Sequence, residues 1–272
     1  MQEAAGDSRI DTVRRALLLS LLVLGILTTA LVGLRGKPRR AAPLYIYCGT
    51  SMRGAAEELA RDFEKQAGGA VEFDFGGSET LLPKLEIARS GDLFVTHDPF
   101  AENLTRKGLL ERYEVAGFLV PVLVTAKGNP RQLRSLADLA KPGVRLGMMD
   151  ARYSTCGQMV RERLAARGLA GSVGANVKVE KRSHQDLAQD VALDALDAVL
   201  VWNFCGLLNR ERVDTTWLDD PFPETRVTVC MLKCARERAA AERFLALCAS
   251  ENGRAVFARH GYAKTQPAEA GR

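Results

Sequence analysis

A chain of 272 residues, 47% hydrophobic and 26% charged, has ordinary globular composition and is long enough for one large or two modest domains. It shows no self-similar period and no internal low-complexity tract, which excludes repeat, collagenous and disordered architectures. Most of the net charge of +5 sits in the first forty residues, which hold seven Lys/Arg against three acids, so the near-neutral remainder carries no electrostatic footprint for nucleic acid.

The first predicted element is an uncharged apolar run from Ala16 to Leu34, flanked by Arg14 and Arg15 before it and by Arg35, Lys37, Arg39 and Arg40 after it. Nineteen helical residues reach roughly 28 Å, enough for the hydrocarbon core of a bilayer. The run exceeds the ~7–15 residues of a signal-peptide core, which favours an uncleaved N-terminal transmembrane helix over a removed leader. No cysteine follows it directly, so no lipid attachment is expected there. Residues 1–42 are thus expected to be a tail plus membrane anchor or signal segment.

Strands and helices then alternate. Leu44–Cys48 reads as a strand, Ser51–Gln66 as a helix with Ala55, Leu59, Ala60 and Phe63 on one face, and Val71–Phe75 as the next strand. Ser78 opens a helix to about Ala88, and Leu93–Thr96 is a short buried strand. A short helix ends over Leu104–Gly108, and Leu119–Thr125 is a long apolar strand. Further on, Leu133–Leu139 reads as a helix and Val144–Met148 as a strand. A polar loop runs from Asp150 to Gly157, and Gln158–Arg167 is helical. Strands are predicted at Val177–Val179, Ala198–Trp202 and Thr225–Met231. Helices are predicted at Gln185–Ala195, Arg236–Ser250 and Gly253–His260. The alternation predicts an α/β protein with mostly parallel sheets and flanking helices.

Two segments concentrate the functional signal. In LYIYCGTSM (44–52) and FDFGGSETL (73–81) a strand runs into a small-residue turn and then a helix, with Ser51 or Ser78 at the helix start. The first amides of a helix have no internal acceptor and carry partial positive charge. Two such ends aimed at one crevice make an anion site from neutral parts. Each serine alone is explained by helix capping; the matched pair points to ligand contact, with Thr50 as a second hydroxyl. Asp92 and Asp98 bracket the Leu93–Thr96 strand and read as cap or turn residues, since an acid would repel an anion. His97 reads as a satisfied rim histidine. Arg53 and Arg152 read as solvated charges that would favour a more highly charged oxyanion only on reaching into the crevice. The six cysteines, at 48, 156, 205, 230, 234 and 248, show no Cys-x-x-Cys or zinc spacing. They read as buried small side chains, some able to pair in an oxidising compartment.

With these pieces in order, the chain from Leu44 to about Tyr262 resembles the periplasmic molybdate-binding proteins, the substrate-capturing subunits of ABC importers. The resemblance is carried by YCGTSMRGAAEELARDFEKQAG, VEFDFGGSETLLPKLEIARSGDLFVTHDPF, LTRKGLL, RLGMMDARYSTCGQMVRERL and AAAERFLALCASENGRAVFARHGY. It implies a two-lobed type II periplasmic-binding-protein fold that closes by hinge motion on a ligand held between the lobes. Lobe 1 would take residues 43–122 plus 230–264 and lobe 2 residues 123–229, with crossing strands near Leu119–Thr125 and Thr225–Met231 and a tail at 265–272. The family's hydroxyl ligands fall on Ser51 and Ser78, its alanine-type backbone donor on Cys156, a further backbone donor near Leu187, and its tyrosine on Trp202. Trp202 is a departure, since an indole N–H donates but cannot accept; cysteine at 156 is another.

The function implied is an extracytoplasmic, membrane-anchored solute-binding protein. It would capture a small tetrahedral oxyanion, molybdate or tungstate, for ABC permease subunits, acting as a monomer with no cofactor, metal, nucleic acid or chemistry on the ligand. Three alternatives stay open at this point. One is a different ligand, such as a metal ion, another anion or a small organic acid. Another is a ligand-sensing domain. The last is an enzyme with Cys48 or Cys156 as nucleophile and His97 as base.

Overall fold

The computed structural model describes residues 42–67 and 69–263, together with Ser20. Apart from Ser20, the Ala16–Leu34 run lies outside the described residues, as does the 265–272 tail. Among the described residues no helix is long and apolar enough to cross a membrane.

In chain order the strands are β1 (Leu44–Gly49), β2 (Val71–Gly76), β3 (Leu93–His97), β4 (Leu110–Leu119), β5 (Pro121–Ala126), β6 (Leu146–Met149), β7 (Val177–Lys181), β8 (Ala198–Trp202), β9 (Val213–Thr216) and β10 (Thr225–Leu232). They form two five-stranded sheets, ordered β2-β1-β3-β10-β4 and β7-β6-β8-β5-β9. The helices are α1 (Arg53–Ala67), α2 (Ser78–Ala88), α3 (Phe100–Arg106), α4 (Thr155–Ala166), α5 (Ala170–Gly174), α6 (His184–Ala192), α7 (Cys205–Leu208), α8 (Arg238–Ala249) and α9 (Glu251–Arg259). A 3₁₀ turn at Thr50–Met52 leads into α1.

The α/β architecture follows from which strands can be buried on both faces. The runs VLV in β5 and AVLVW in β8 are apolar throughout and fully buried near the middle of their sheet. At the opposite edge, β7 (VKVEK) alternates between half-buried and exposed positions. The two sheets repeat one plan. In each, three strands pair in parallel (β2-β1-β3 and β7-β6-β8), and a single reversed strand, β10 or β5, makes antiparallel pairs on both its sides. Most strands therefore share a direction, as expected, although half the pairings are antiparallel.

Several elements differ from the sequence reading for physical reasons. Leu119–Thr125 is not one strand. Leu119 ends β4 in the first sheet, Val120 makes the crossing, and β5 begins the second. Asn203 braces this crossing, as its amide donates to the Val120 carbonyl at 3.0 Å and its side-chain oxygen accepts from the Val120 amide at 3.2 Å. Thr225–Met231 lies wholly within the first sheet as β10, so the return crossing falls in residues 217–224. The predicted Leu133–Leu139 helix is largely loop. There the Asp138 carboxylate accepts from the Arg134 and Ser135 amides at 2.9 and 2.8 Å, offering the backbone a local alternative to helix. Only the 3₁₀ turn Ala137–Ala140 follows. Strand β4 escapes a periodicity reading because its first half, LERYE, is an exposed edge rich in charge.

Asp92 is structural, as expected. Its carboxylate accepts from the amides of Tyr45 (2.9 Å), Arg236 (2.8 Å) and Glu237 (3.0 Å), joining β1 to the segment that precedes α8. Asp98 holds the Arg226 guanidinium at 2.8 and 3.0 Å, fixing the end of β3 to the start of β10. All six cysteines are unpaired, and five are fully buried.

Candidate functional site

A cavity of about 290 Å³ lies where the carboxyl ends of both sets of parallel strands face one another. Four strand-to-helix turns line it: Gly49–Met52 after β1, Gly76–Glu79 after β2, 153–155 ahead of α4 and 182–185 at the start of α6. His97 closes β3, and Trp202 and Phe204 extend from β8. The volume is at the lower end of the ~300–1,000 Å³ range for ligand pockets, so the cavity suits a small solute.

The sequence supplies each helix start. Gly77 caps α2 in an extended conformation, which leaves the amides of Ser78 and Glu79 in the first turn without an internal acceptor. Ser154 caps α4, its hydroxyl accepting from the Gly157 amide at 3.2 Å. Ser183 caps α6, its hydroxyl accepting from the Asp186 amide at 3.1 Å. Gly157 is required for the α4 turn to approach the sheet, since a Cβ there would stand 2.6 Å from the Met149 carbonyl oxygen.

Of the residues singled out from the sequence, the structure brings Thr50, Ser51, Ser78 and Trp202 to this one cavity. Ser78 is 3% exposed, and its Oγ accepts from the Thr96 hydroxyl at 2.9 Å, so its own proton is available to a further acceptor. Cys156 and Leu187 do not line the cavity; both side chains are fully buried. The Leu187 amide donates to the Ser183 carbonyl at 3.3 Å, one turn past the helix start, which removes it as a ligand donor. The open first-turn amides of α6 are instead those of His184 and Gln185. For α4 they are Thr155 and Cys156, so a role for Cys156 would rest on its backbone alone. Ser183 followed by Asp186 approximates the capping signal for the start of α6, whereas the start of α4 is marked by Ser154 alone.

The arginines weighed for the crevice do not line it. Arg53 pairs with Glu57 at 3.4 Å and covers the Phe75 ring, while Arg152 pairs with Asp150 at 2.7 Å. The arginine that does is Arg182, stacked 3.4 Å from the Tyr153 ring centroid. Cys48, Cys156 and Cys205 are buried away from the lining, and burial pushes each thiol up, so they remain protonated and poorly nucleophilic.

Among the wall side chains not assigned to the site from the sequence are Glu79, His97 and His184. Glu79 lies in the first turn of α2, and its carboxylate accepts from the Thr155 hydroxyl at 3.5 Å, reaching from one set of turns to the other. His97 is not a rim residue. It is buried at 7% exposure, with Nδ1 2.7 Å from the Asp98 carbonyl oxygen. His184 also packs on Trp202, each imidazole centroid 6.0 Å from the indole. The missed signal is positional: His97 and His184 occupy a strand end and a helix start equivalent to those that carry the serines.

Burial holds both imidazoles below their ordinary value, His184 down to about 3. A histidine neutral in the fold takes up a proton when the chain unfolds below about pH 6.5. The unfolded state then binds more protons, so stability falls as pH drops from about 6.5. Asp150, held down to about 2 chiefly by the Arg152 hydrogen bond, loses its contribution only below about pH 4. The melting temperature is therefore expected to decline already between pH 7 and 5, and His184→Phe to flatten that decline. An unchanged Tm across this interval would contradict the assignment.

With this geometry established, the relationship to known proteins becomes informative. The family model described as bacterial extracellular solute-binding protein matches residues 44–263. The chain belongs to the bacterial extracellular solute-binding protein family. The resemblance drawn from the sequence is borne out. The molybdate-binding protein ModA of Mycobacterium bovis is 26% identical over 84% of this solute-binding protein and 87% of its own length. The solved periplasmic molybdate-binding protein of Azotobacter vinelandii superposes with a TM-score of 0.67 at 20% identity, covering 82% of this chain and 100% of that one. Iron-bound HitA from Pseudomonas aeruginosa superposes equally well, with a TM-score of 0.69 at 19% identity over 85% of this chain and 90% of that one. At such identities the solved structures share the fold of this solute-binding protein, and the fold by itself does not choose between anion and cation.

Proposed function

We propose that this solute-binding protein captures a small tetrahedral oxyanion, molybdate or tungstate, and presents it to the permease of an ABC importer. The observation that carries the reading is the convergence of helix starts from both sheets on one small cavity. Hydroxyls of Ser51 and Ser78, with Thr50 beside them, would donate from the first sheet. First-turn amides of α4 and α6 would donate from the second, and the Trp202 indole N–H from its edge. These are neutral donors, suited to an anion that needs no countercharge. The name of the mycobacterial relative supports the choice of molybdate.

In this account residues 43–119 and 225–263 act as one lobe and 121–216 as the other, and they close by bending at the crossings near Val120 and 217–224. Closure buries the anion and forms a single surface for the permease. The Ala16–Leu34 segment would tether a monomer to the membrane with its binding domain outside the cytoplasm. Donors alone do not separate one dianion from another, so selectivity would come from the size of the closed cavity.

Calorimetric titration of the purified protein with molybdate, tungstate, sulfate and phosphate tests the proposal. Saturable binding of molybdate or tungstate is expected, and absence of heat with all four would overturn it. Glu79 in the wall favours one second reading, a small organic acid carrying its own proton donor or cation. Such a ligand would bind where the inorganic anions do not.

A further inference from the structure

Resting on the oxyanion reading, we propose that capture of a dianion in this cavity is coupled to uptake of one proton on Nε2 of His97. One backbone contact sets the tautomer of His97. Nδ1 of His97 lies 2.7 Å from the carbonyl oxygen of Asp98. A carbonyl oxygen only accepts, so Nδ1 carries the hydrogen. In the neutral ring the other nitrogen, Nε2, is then a bare acceptor, and the ring forms part of the cavity wall. An acceptor turned toward an anion is repulsive. Protonation converts Nε2 into a charged donor while Nδ1 keeps its bond to Asp98, so no part of the ring has to move.

The charged and titratable neighbours decide which group takes the proton. From α2, the Glu79 carboxylate favours the imidazolium of His97, as does Asp98, although the latter is already paired with Arg226. From α6, His184 opposes a second positive charge, and the same two-histidine repulsion bears on His184 itself. His184 has no carboxylate among its electrostatic partners, and its Nδ1 is buried with no hydrogen-bond partner, so it is the poorer site for the proton. Arg182 stands in the wall ahead of α6, and Tyr153 in the wall ahead of α4, with the Asp150–Arg152 pair behind it. Phe100 and Trp202 pack on the His97 ring and contribute no charge. Without an anion, burial keeps His97 neutral. A dianion replaces cavity water with two negative charges and supplies the missing partner.

The consequence is that affinity falls as pH rises. Between the free and the anion-bound proton affinities of His97, each pH unit costs roughly tenfold in binding. Glu79 raises the proton affinity of His97 with or without the anion, so it moves the pH range of the coupling upward and leaves the coupling itself to the His97–anion pair.

Calorimetry with sodium molybdate at pH 7.5, run in Tris and in HEPES, measures the protons exchanged, because molybdate itself stays deprotonated there. Nitrogen NMR of the histidine side chains reports in parallel whether Nε2 of His97 gains a hydrogen. Uptake of about one proton per anion, with His97 turning into an imidazolium, is the expected result. His97→Gln, which keeps a donor but cannot titrate, is expected to abolish the uptake and flatten the pH dependence. Zero uptake, or a neutral His97 ring in the saturated complex, overturns the proposal, and both are read on the unmodified protein should the variant fail to fold. Uptake that persists in His97→Gln assigns the proton elsewhere and overturns it too. Absence of any heat with molybdate, tungstate, sulfate and phosphate instead removes the oxyanion reading on which the inference rests.

Discussion

Alanine at Ser78 is expected to weaken oxyanion binding by roughly 10- to 100-fold, the effect of losing one hydrogen bond to a charged acceptor, about 1.5–3 kcal/mol. The neighbourhood of Ser78 explains why so small a change should matter. Thr96, fully buried on β3, donates to the Ser78 oxygen at 2.9 Å, which turns the Ser78 proton away from Thr96. The substitution thus deletes a donor with a fixed direction and leaves the Thr96 hydroxyl unpaired. A loss of about 1 kcal/mol of folding stability should accompany it. Ser51→Ala should weaken binding to a similar extent without touching Thr96. The Ser51 carbonyl accepts from the Tyr262 hydroxyl, a contact that alanine preserves. If both variants bind within twofold of the unmodified protein, the anion lies elsewhere.

Trp202→Ala is expected to cost about 3–5 kcal/mol of stability, the ordinary price of emptying a large aromatic site. Trp202 is 1% exposed at the end of β8, paired with Pro121 at the start of β5, and contacts both His97 and His184. Its loss would loosen the cavity wall beside the Val120 crossing. Trp202→Phe separates packing from ligand contact. Phenylalanine keeps most of the ring but no N–H, so an indole that donates to the anion predicts about a tenfold loss of affinity with a much smaller loss of stability. Urea denaturation and anion titration of the two variants give both quantities. Unchanged affinity in Trp202→Phe would reduce Trp202 to a packing role.

How far the sequence discloses this architecture depends on how local each determinant is. The turns after β1 and β2 are local: a strand, glycine, a hydroxyl residue and then a helix stand side by side in the chain. Thr50, Ser51 and Ser78 were therefore legible. In the second set of turns the reading at Cys156 lands on an open first-turn amide of α4, next to the 153–155 segment, whereas the reading at Leu187 falls past the 182–185 segment, where the amide is already paired with the Ser183 carbonyl. There the caps sit inside polar loops where several serines and threonines compete for the role. Glu79 drew no reading from the sequence and His97 read as a rim residue; only the meeting of α2, β3 and α6 places both in the wall. The split between β4 and β5 was illegible because Val120 is as apolar as the strands it joins, and the change of sheet depends on the distant Asn203.

Anomalous diffraction from crystals grown with tungstate tests the central claim most directly. One tungsten peak is expected in the cavity, with its oxygens within about 3 Å of the Ser51 and Ser78 hydroxyls and of first-turn amides of α4 and α6. Tungsten bound only outside that cavity, or held there by neither serine, would contradict it.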